Sequence, residues 1–246
     1  MIRRERDGNV EVVRLDAPPL HLLGSAMITA LRKRFVALQG DPPRSVVLHC
    51  TGGGADVREL AALDATTGRS FITALHDACR AIRALDAPVI AAVDGPCMGA
   101  HLEVAAACDM RVASERSQFA MPEILVGIPS VIDAWWILRI CGIGAASSLF
   151  FDGRPIDAAE ALRIGLVNRV EPDEALNAAA LAWAARIAGS SPIALAEQKR
   201  VLRDWTQAEY ERAASASVER LVAAIQGGEA GEAMRAMLEK RHPSFE

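Results

Sequence analysis

No stretch of the 246-residue chain approaches about 18 uninterrupted apolar residues, and the opening MIRRERDGNVEVVRLD has no apolar segment of the kind that directs export. Neither a membrane span nor secretion is expected. Positive charge is also short: 27 Lys and Arg against 31 Asp and Glu leave a formal charge of −4, no electrostatic footprint for nucleic acid or an anionic membrane surface. Cysteine is odd in number and unpaired in spacing. Cys50, Cys79, Cys97, Cys108 and Cys141 are scattered, mostly within apolar runs and without a Cys-x-x-Cys, which suits free thiols in a reducing cytoplasm and excludes a disulfide framework. No internal repeat is visible.

What the chain does have is apolar bulk. With 51% apolar and 24% charged residues, it is long enough to bury the core of one large domain, or of a domain with an appendage. Residues 10–15 alternate as a strand. Met27, Leu31, Phe35 and Leu38 recur at helical spacing, and Gly40-Asp41-Pro42-Pro43 stops that helix before a strand at 45–50. This is a β-α-β start. Asp56 is placed to cap a short helix after three glycines, and Phe71, Ile72, Leu75, Cys79 and Ile82 mark the apolar face of a longer one. Asp157 and Glu160 form a capping pattern for a helix closed by Gly165. Beyond Pro172 only helices are expected, at 174–188, 192–205, 207–225 and 229–240.

The chemistry concentrates in residues 88–123, PVIAAVDGPCMGAHLEVAAACDMRVASERSQFAMPE. A β-branched run at 88–93 reads as a buried strand, and Asp94-Gly95-Pro96 turns the chain into a nearly all-apolar helix at 101–108. That helix carries one carboxylate, Glu103. Twenty positions later Glu123 follows Met121-Pro122 in a second apolar setting. A carboxylate in such surroundings either caps or salt-bridges locally or does acid/base work, because burial lets one acid keep its proton near neutral pH while another stays charged. His101-Leu102-Glu103 is not the H-x-E of a zinc deaminase, since no P-C-x-x-C follows, and Cys97 with His101 lacks the further ligands of a metal site.

Three blocks, taken together, resemble the enoyl-CoA hydratase/isomerase, or crotonase, superfamily: SVVLHCTGGGADVREL (45–60), PVIAAVDGPCMGAHLEVAAACD (88–109) and FAMPEILVGIPS (119–130), with a similar tail, LEKRHPSF. The resemblance spans essentially the whole chain. It implies an α/β fold, a spiral of β-β-α units over residues 1–188 with a helical oligomerisation region over 189–246, assembled as a homotrimer or homohexamer. It also implies an acyl-CoA substrate, with coenzyme A part of that substrate and no separate cofactor or metal.

By the same resemblance Glu103 and Glu123 stand at the two acid/base positions of the hydratases, Glu103 activating water and Glu123 delivering a proton. The backbone N–H groups of Ala55 and Ala100 form the oxyanion hole, and Gly54, Ala55, Asp56, Val57 and Arg58 hold the CoA. Lys199, Arg200 and Lys240 are further candidates for a CoA phosphate. The implied reaction is hydration of an enoyl-CoA; the alternatives are an isomerase, decarboxylase or lyase of the same fold, or a protein that binds acyl-CoA without turnover. The chain departs from the family in a shortened segment before Gly54, in Ala100 and His101 where relatives have glycines, and in Ser130-Val131-Ile132-Asp133, which brings a third acid close. Trp135 and Trp136 are candidates to limit acyl length, or to pack between layers.

Overall fold

The structure, a computed structural model, describes residues 2–245. Its elements in chain order are β1 (Ile2–Asp7), β2 (Val10–Leu15), α1 (Ser25–Leu38), β3 (Ser45–His49), α2 (Val57–Ala61), α3 (Ala65–Ala84), β4 (Val89–Val93), β5 (Pro96–Met98), α4 (Ala100–Ala106), β6 (Met110–Ser114), β7 (Gln118–Ala120), a 3-10 turn (Pro122–Val126), α5 (Ala134–Asp152), β8 (Ile156–Asp157), α6 (Ala158–Arg163), β9 (Arg169–Glu171), α7 (Leu176–Ala188), α8 (Pro192–Gln226) and α9 (Glu229–Leu238).

The large sheet runs β1-β2-β3-β4-β6-β9, with β1 antiparallel to β2 and every other pair parallel. Two-residue periodicity divides its side chains. Val10, Val12, Val47, Ile90, Ala92 and Val112 pack against Leu176, Ala180, Trp183 and Ala184 of α7. Val13, Leu15, Val46, Leu48, Val89, Ala91 and Val93 point the other way, into the main core with α1, α3 and α4. Parallel strands buried on both faces read as continuous apolar runs, which is why the 88–93 stretch is legible.

A second, smaller sheet, β5-β7-β8, is made from the strand that leaves the large sheet at each turn. After β4 the chain bends at Gly95 (φ +102) into β5 and then α4; after β6 it enters β7, the 3-10 turn and α5. Gly52 bridges Cys97 in parallel, so the segment after β3 repeats the same step in abbreviated form. Successive strand-strand-helix turns are the expected spiral of β-β-α units.

The C-terminal reading changes in one respect. Residues 192–226 form one helix of 35 residues, not two: no Gly or Pro interrupts it after Pro192, and Thr206 turns its hydroxyl back onto the Leu202 carbonyl at 3.0 Å, which keeps a β-branched residue helical. Strand β1 was not expected, because its residues are largely exposed and charged. Helix α5 is long and apolar enough to cross a membrane, with mean hydropathy 1.4; Arg139 and the non-helical Gly142 (φ 77, ψ 162) interrupt it, and it packs on α4 and α8.

The helices are locked together at Asp133, which has no solvent exposure. Its carboxylate accepts from Arg83 of α3 and from the Tyr210 hydroxyl of α8 at 2.7 Å, and lies 3.3 Å from His76 Nδ1. Trp135 and Trp136 both pack on Tyr210, with ring centroids 5.4 and 5.2 Å away. Removing one partner of a buried ion pair strands the other, so Asp133→Ala should lose about 3–5 kcal/mol of unfolding free energy in urea titrations. A loss below about 1 kcal/mol would mean that Arg83 finds water instead.

Candidate active site

Glu103 is carried on α4, whose seven residues are all buried. The helix begins at Ala100 because Gly99 adopts φ 49, ψ −119, a backbone region open to glycine alone. Gly99 is required twice over: a Cβ built on it would meet Glu123 Oε1 at 2.5 Å. The missing side chain at position 99 therefore lets the second acid lie over the start of the helix that carries the first. Glu123 itself sits at the start of the 3-10 turn, behind Pro122.

Both acids line one cavity of about 360 Å³. Their partners differ. Glu103 Oε1 accepts from the Ala134 N–H at 3.1 Å, a donor freed by the start of α5 and shared with the Val131 carbonyl. Glu123 Oε2 accepts from the Ser130 hydroxyl at 3.1 Å. Burial first, then the nearby Glu123 and Asp133 carboxylates, push the proton affinity of Glu103 well above the usual carboxylate range, while the Ala134 N–H pulls the other way. Glu123 is pushed up to about 7 by burial, against the hydrogen bond from Ser130. The two acids interact electrostatically, so they titrate as a pair.

The main chain beside them is equally ordered. Ala55 forms a parallel bridge with Leu23, in which the Leu23 N–H donates to the Gly54 carbonyl (2.8 Å) and the Asp56 N–H to the Leu23 carbonyl (3.3 Å). In that pattern the Ala55 N–H points away from Leu23. Gly54, at φ +94, brings its backbone against the facing segment: a Cβ there would lie 3.0 Å from the Met98 carbonyl and 3.9 Å from the Ala100 nitrogen. The Ala100 N–H belongs to the first turn of α4 and has no partner within that helix. Ala55 and Ala100 both line the cavity, as do Gly54 and Val57. The shortened segment is braced from behind by His101, a fully buried imidazole that sits so close to Gly52 that a Cβ there would meet it at 2.5 Å. Burial lowers that ring to about 3, so it packs uncharged.

The remaining expected residues divide. Asp56 caps α2, accepting from the Arg58 N–H at 3.0 Å, and Arg58 itself is exposed outside the cavity lining. Lys199 is not free for a phosphate: it is buried, paired with Asp109 at 2.8 Å, and donates to the Ala87 carbonyl at 2.9 Å, fixing α8 to the start of β4 and β6. Arg200 is committed to Asp86 and Glu197. Neither tryptophan lines the cavity. Sequence reasoning missed Ser130 and the Ala134 N–H as the partners of the acids, and missed α8 and α9 as a cavity wall; only Asp133, a lone acid in an apolar helix start, offered a signal. A larger groove of about 600 Å³ contains neither acid, and its arginines are paired internally, Arg154 with Asp152 at 3.3 Å and Arg163 with Glu160 at 2.6 Å.

This fold and its two acids in one cavity suit an enzyme of acyl-thioester chemistry, and the comparisons make the class specific. Residues 5–246 match the family model for enoyl-CoA hydratase/isomerase, and the chain belongs to that family. It is 32% identical over 246 residues to a short-chain-enoyl-CoA hydratase of Clostridium acetobutylicum, a match covering 96% of this chain and 94% of that protein. Its fold is that of solved crotonase-type structures. An enoyl-CoA hydratase/isomerase of Pseudoalteromonas atlantica superposes with a TM-score of 0.89 at 26% identity, covering 100% of this chain and 99% of the other. A methylmalonyl-CoA decarboxylase in complex with 2-nitronate-propionyl-CoA gives 0.87 at 26% identity, covering 100% and 98%.

The raised affinity of Glu103 has a measurable consequence for stability. Above about pH 4.5 the unfolded chain releases this proton while the folded chain keeps it, so the buried acid weakens the fold progressively as pH rises. Glu103→Gln should therefore melt above the parent at pH 8, by about 2–4 °C for each kcal/mol relieved, and match it near pH 4. Equal melting temperatures at both pH values would show that Glu103 is not buried against its ionisation.

Proposed function

We propose that the chain is an acyl-CoA hydratase that adds water across the 2,3 double bond of an enoyl-CoA thioester. One observation carries the reading: two carboxyl groups far apart in sequence, Glu103 buried and Glu123 half-buried, line a single cavity beside the Ala55 and Ala100 N–H groups. The thioester oxygen gains charge as water adds, and two main-chain donors at that oxygen stabilise the charge more in the transition state than in the ground state. Water oxygen bonds to C3, its proton passes to the ionised carboxylate, and the electron pair of the double bond moves toward C2, which takes a proton from the other carboxyl. The enzyme ends with as many protons as it began.

The raised proton affinities bear on how the two acids share this work. Burial lifts both above the usual carboxylate range, Glu123 to about 7. One acid that keeps its proton beside one that ionises is what the reaction needs, and we assign water activation to Glu103 and C2 protonation to Glu123, the two acting on one water. The segment Gly54 to Arg58 takes the CoA side of the thioester, a reading supported by Gly54, Ala55 and Val57 on the cavity wall. No further cofactor enters the chemistry. Five free cysteines, four of them buried, suit a cytoplasmic setting.

We read the assembly as a homotrimer or homohexamer, supported by large apolar side chains left uncovered on the single chain: Phe151 (78% exposed), Ile193 (75%) and Trp205 (74%). Light scattering on the purified protein should give three or six times 26.2 kDa; a monomer would overturn this reading.

Glu103→Gln and Glu123→Gln should each lower kcat for crotonyl-CoA hydration by about 10²-fold or more while the protein stays folded. Parent kcat/KM should rise with pH through about 7 as the pair loses its first proton, a limb that either variant should displace. Normal hydration by both variants would remove the acids from the mechanism.

A further inference from the structure

We propose that the preferred substrate carries an unsubstituted hydrocarbon acyl chain of about eight carbons, and that Gly68 sets this length. The inference rests on the hydratase reading and adds to it the identity of the acyl group. The cavity lining contains no polar side chain except Glu103 and Glu123; every other residue on it is glycine, alanine, proline or a larger apolar residue. Beyond C3, out of reach of the two acids, a hydroxyl, amine or second carboxylate on the acyl chain would be buried without a partner, at a cost that disfavours such groups.

The volume sets the length. At about 30 Å³ for each water-sized or methylene-sized group, 360 Å³ holds about a dozen of them. Roughly four or five of these places go to the thioester and the first pantetheine atoms between the alanine N–H groups and the acids, which leaves about eight for acyl carbons. The wall beyond the acids is built from Phe71, Ile72 and Leu75 on one face of α3, Leu221 and Ile225 one turn apart on α8, and Met234 on α9.

Gly68 lies in this wall, buried in the first turns of α3. It has no unusual backbone angle that would demand glycine, and glycine weakens a helix interior relative to alanine. Space supplies the reason. A Cβ built on Gly68 would lie 2.6 Å from Ile225 Cδ1, so Ile225 occupies the room of the missing side chain. With an alanine at 68, the end of the Ile225 side chain has to shift, and it does so at the wall of the cavity that both residues line. Position 68 therefore controls how far the apolar end stays open.

The test is kcat/KM for crotonyl-, hexenoyl-, octenoyl- and dodecenoyl-CoA with the parent, Gly68→Ala and the double variant Gly68→Ala/Ile225→Ala. The parent should favour octenoyl- over crotonyl-CoA by about tenfold or more, since each methylene seated in a fitted apolar pocket is worth at least that order. Gly68→Ala should fold at least as stably as the parent, yet lower the octenoyl-to-crotonyl ratio by about tenfold, and the double variant should restore it. A parent that prefers crotonyl-CoA, or a ratio unmoved in folded Gly68→Ala, overturns the inference and leaves the hydratase reading standing. If no enoyl-CoA is hydrated, that reading fails instead, and calorimetry decides the length separately: octanoyl-CoA should bind the parent about tenfold more tightly than butyryl-CoA, and equal affinities would refute it.

Discussion

A carboxylate with no exposure, Asp133, ties together α3, α5 and α8, the first and last of which line the cavity. It begins α5, yet it makes no capping bond to its own helix; its oxygens go to Arg83 on α3 and Tyr210 on α8. Arg83 is held from several sides, with its guanidinium 4.4 Å from the Tyr210 ring centre and 5.2 Å from that of Trp136. The chain's single tyrosine and two of its four tryptophans are thus spent on one buried charge cluster. Such a cluster adds little net stability, because desolvation of the charges offsets most of their attraction. What it adds is position: one arrangement of α3, α5 and α8 satisfies it, and the next peptide along, at Ala134, is thereby aimed at Glu103.

The same cluster shapes the electrostatics. Glu103 lies between Glu123 and Asp133, and both like charges oppose its ionisation. Arg83 offsets part of the Asp133 charge, and the Ala134 N–H offers Glu103 one donor. The active pair is therefore held short of full ionisation by its surroundings, a condition that suits proton exchange near neutral pH. The Ser130 hydroxyl, which donates to Glu123, favours the ionised form of that acid.

Local pattern was enough for β2, β3 and β4 of the large sheet, because these strands are buried on both faces and their connecting helices carry strong apolar stripes. The two acids were legible for a related reason: in segments as apolar as 101–108, a lone carboxylate is conspicuous. The rest depends on contacts that periodicity does not record. His76 and Tyr210, 134 positions apart, meet at 2.9 Å, and Lys199 reaches Asp109 across 90 positions. Strand β1 escaped notice because an exposed antiparallel edge needs no apolar alternation, and β5, β7 and β8 because two or three residues carry no period at all. Residues 192–225 were divided in two because the contacts that hold one long helix, among them those of Tyr210 and Lys199 with distant segments, leave no mark in the local pattern.

Glycine shows how differently the two ends of the cavity are specified. At one end, Gly54 and Gly99 are fixed by backbone angle and by contacts with main chain or with the Glu123 carboxylate, so the Ala55 and Ala100 N–H groups that follow them are insensitive to side-chain drift elsewhere. At the tail end, Gly68 is fixed by nothing except the end of one flexible isoleucine. One end of the cavity is thus held by peptide geometry, which tolerates almost no change, and the other by side-chain packing, which tolerates a good deal. A fold divided in this way can keep the backbone around Ala55 and Ala100 while the apolar wall varies. That a hydratase/isomerase and a methylmalonyl-CoA decarboxylase superpose on this one chain almost equally well, at 0.89 and 0.87, follows from that division of constraints.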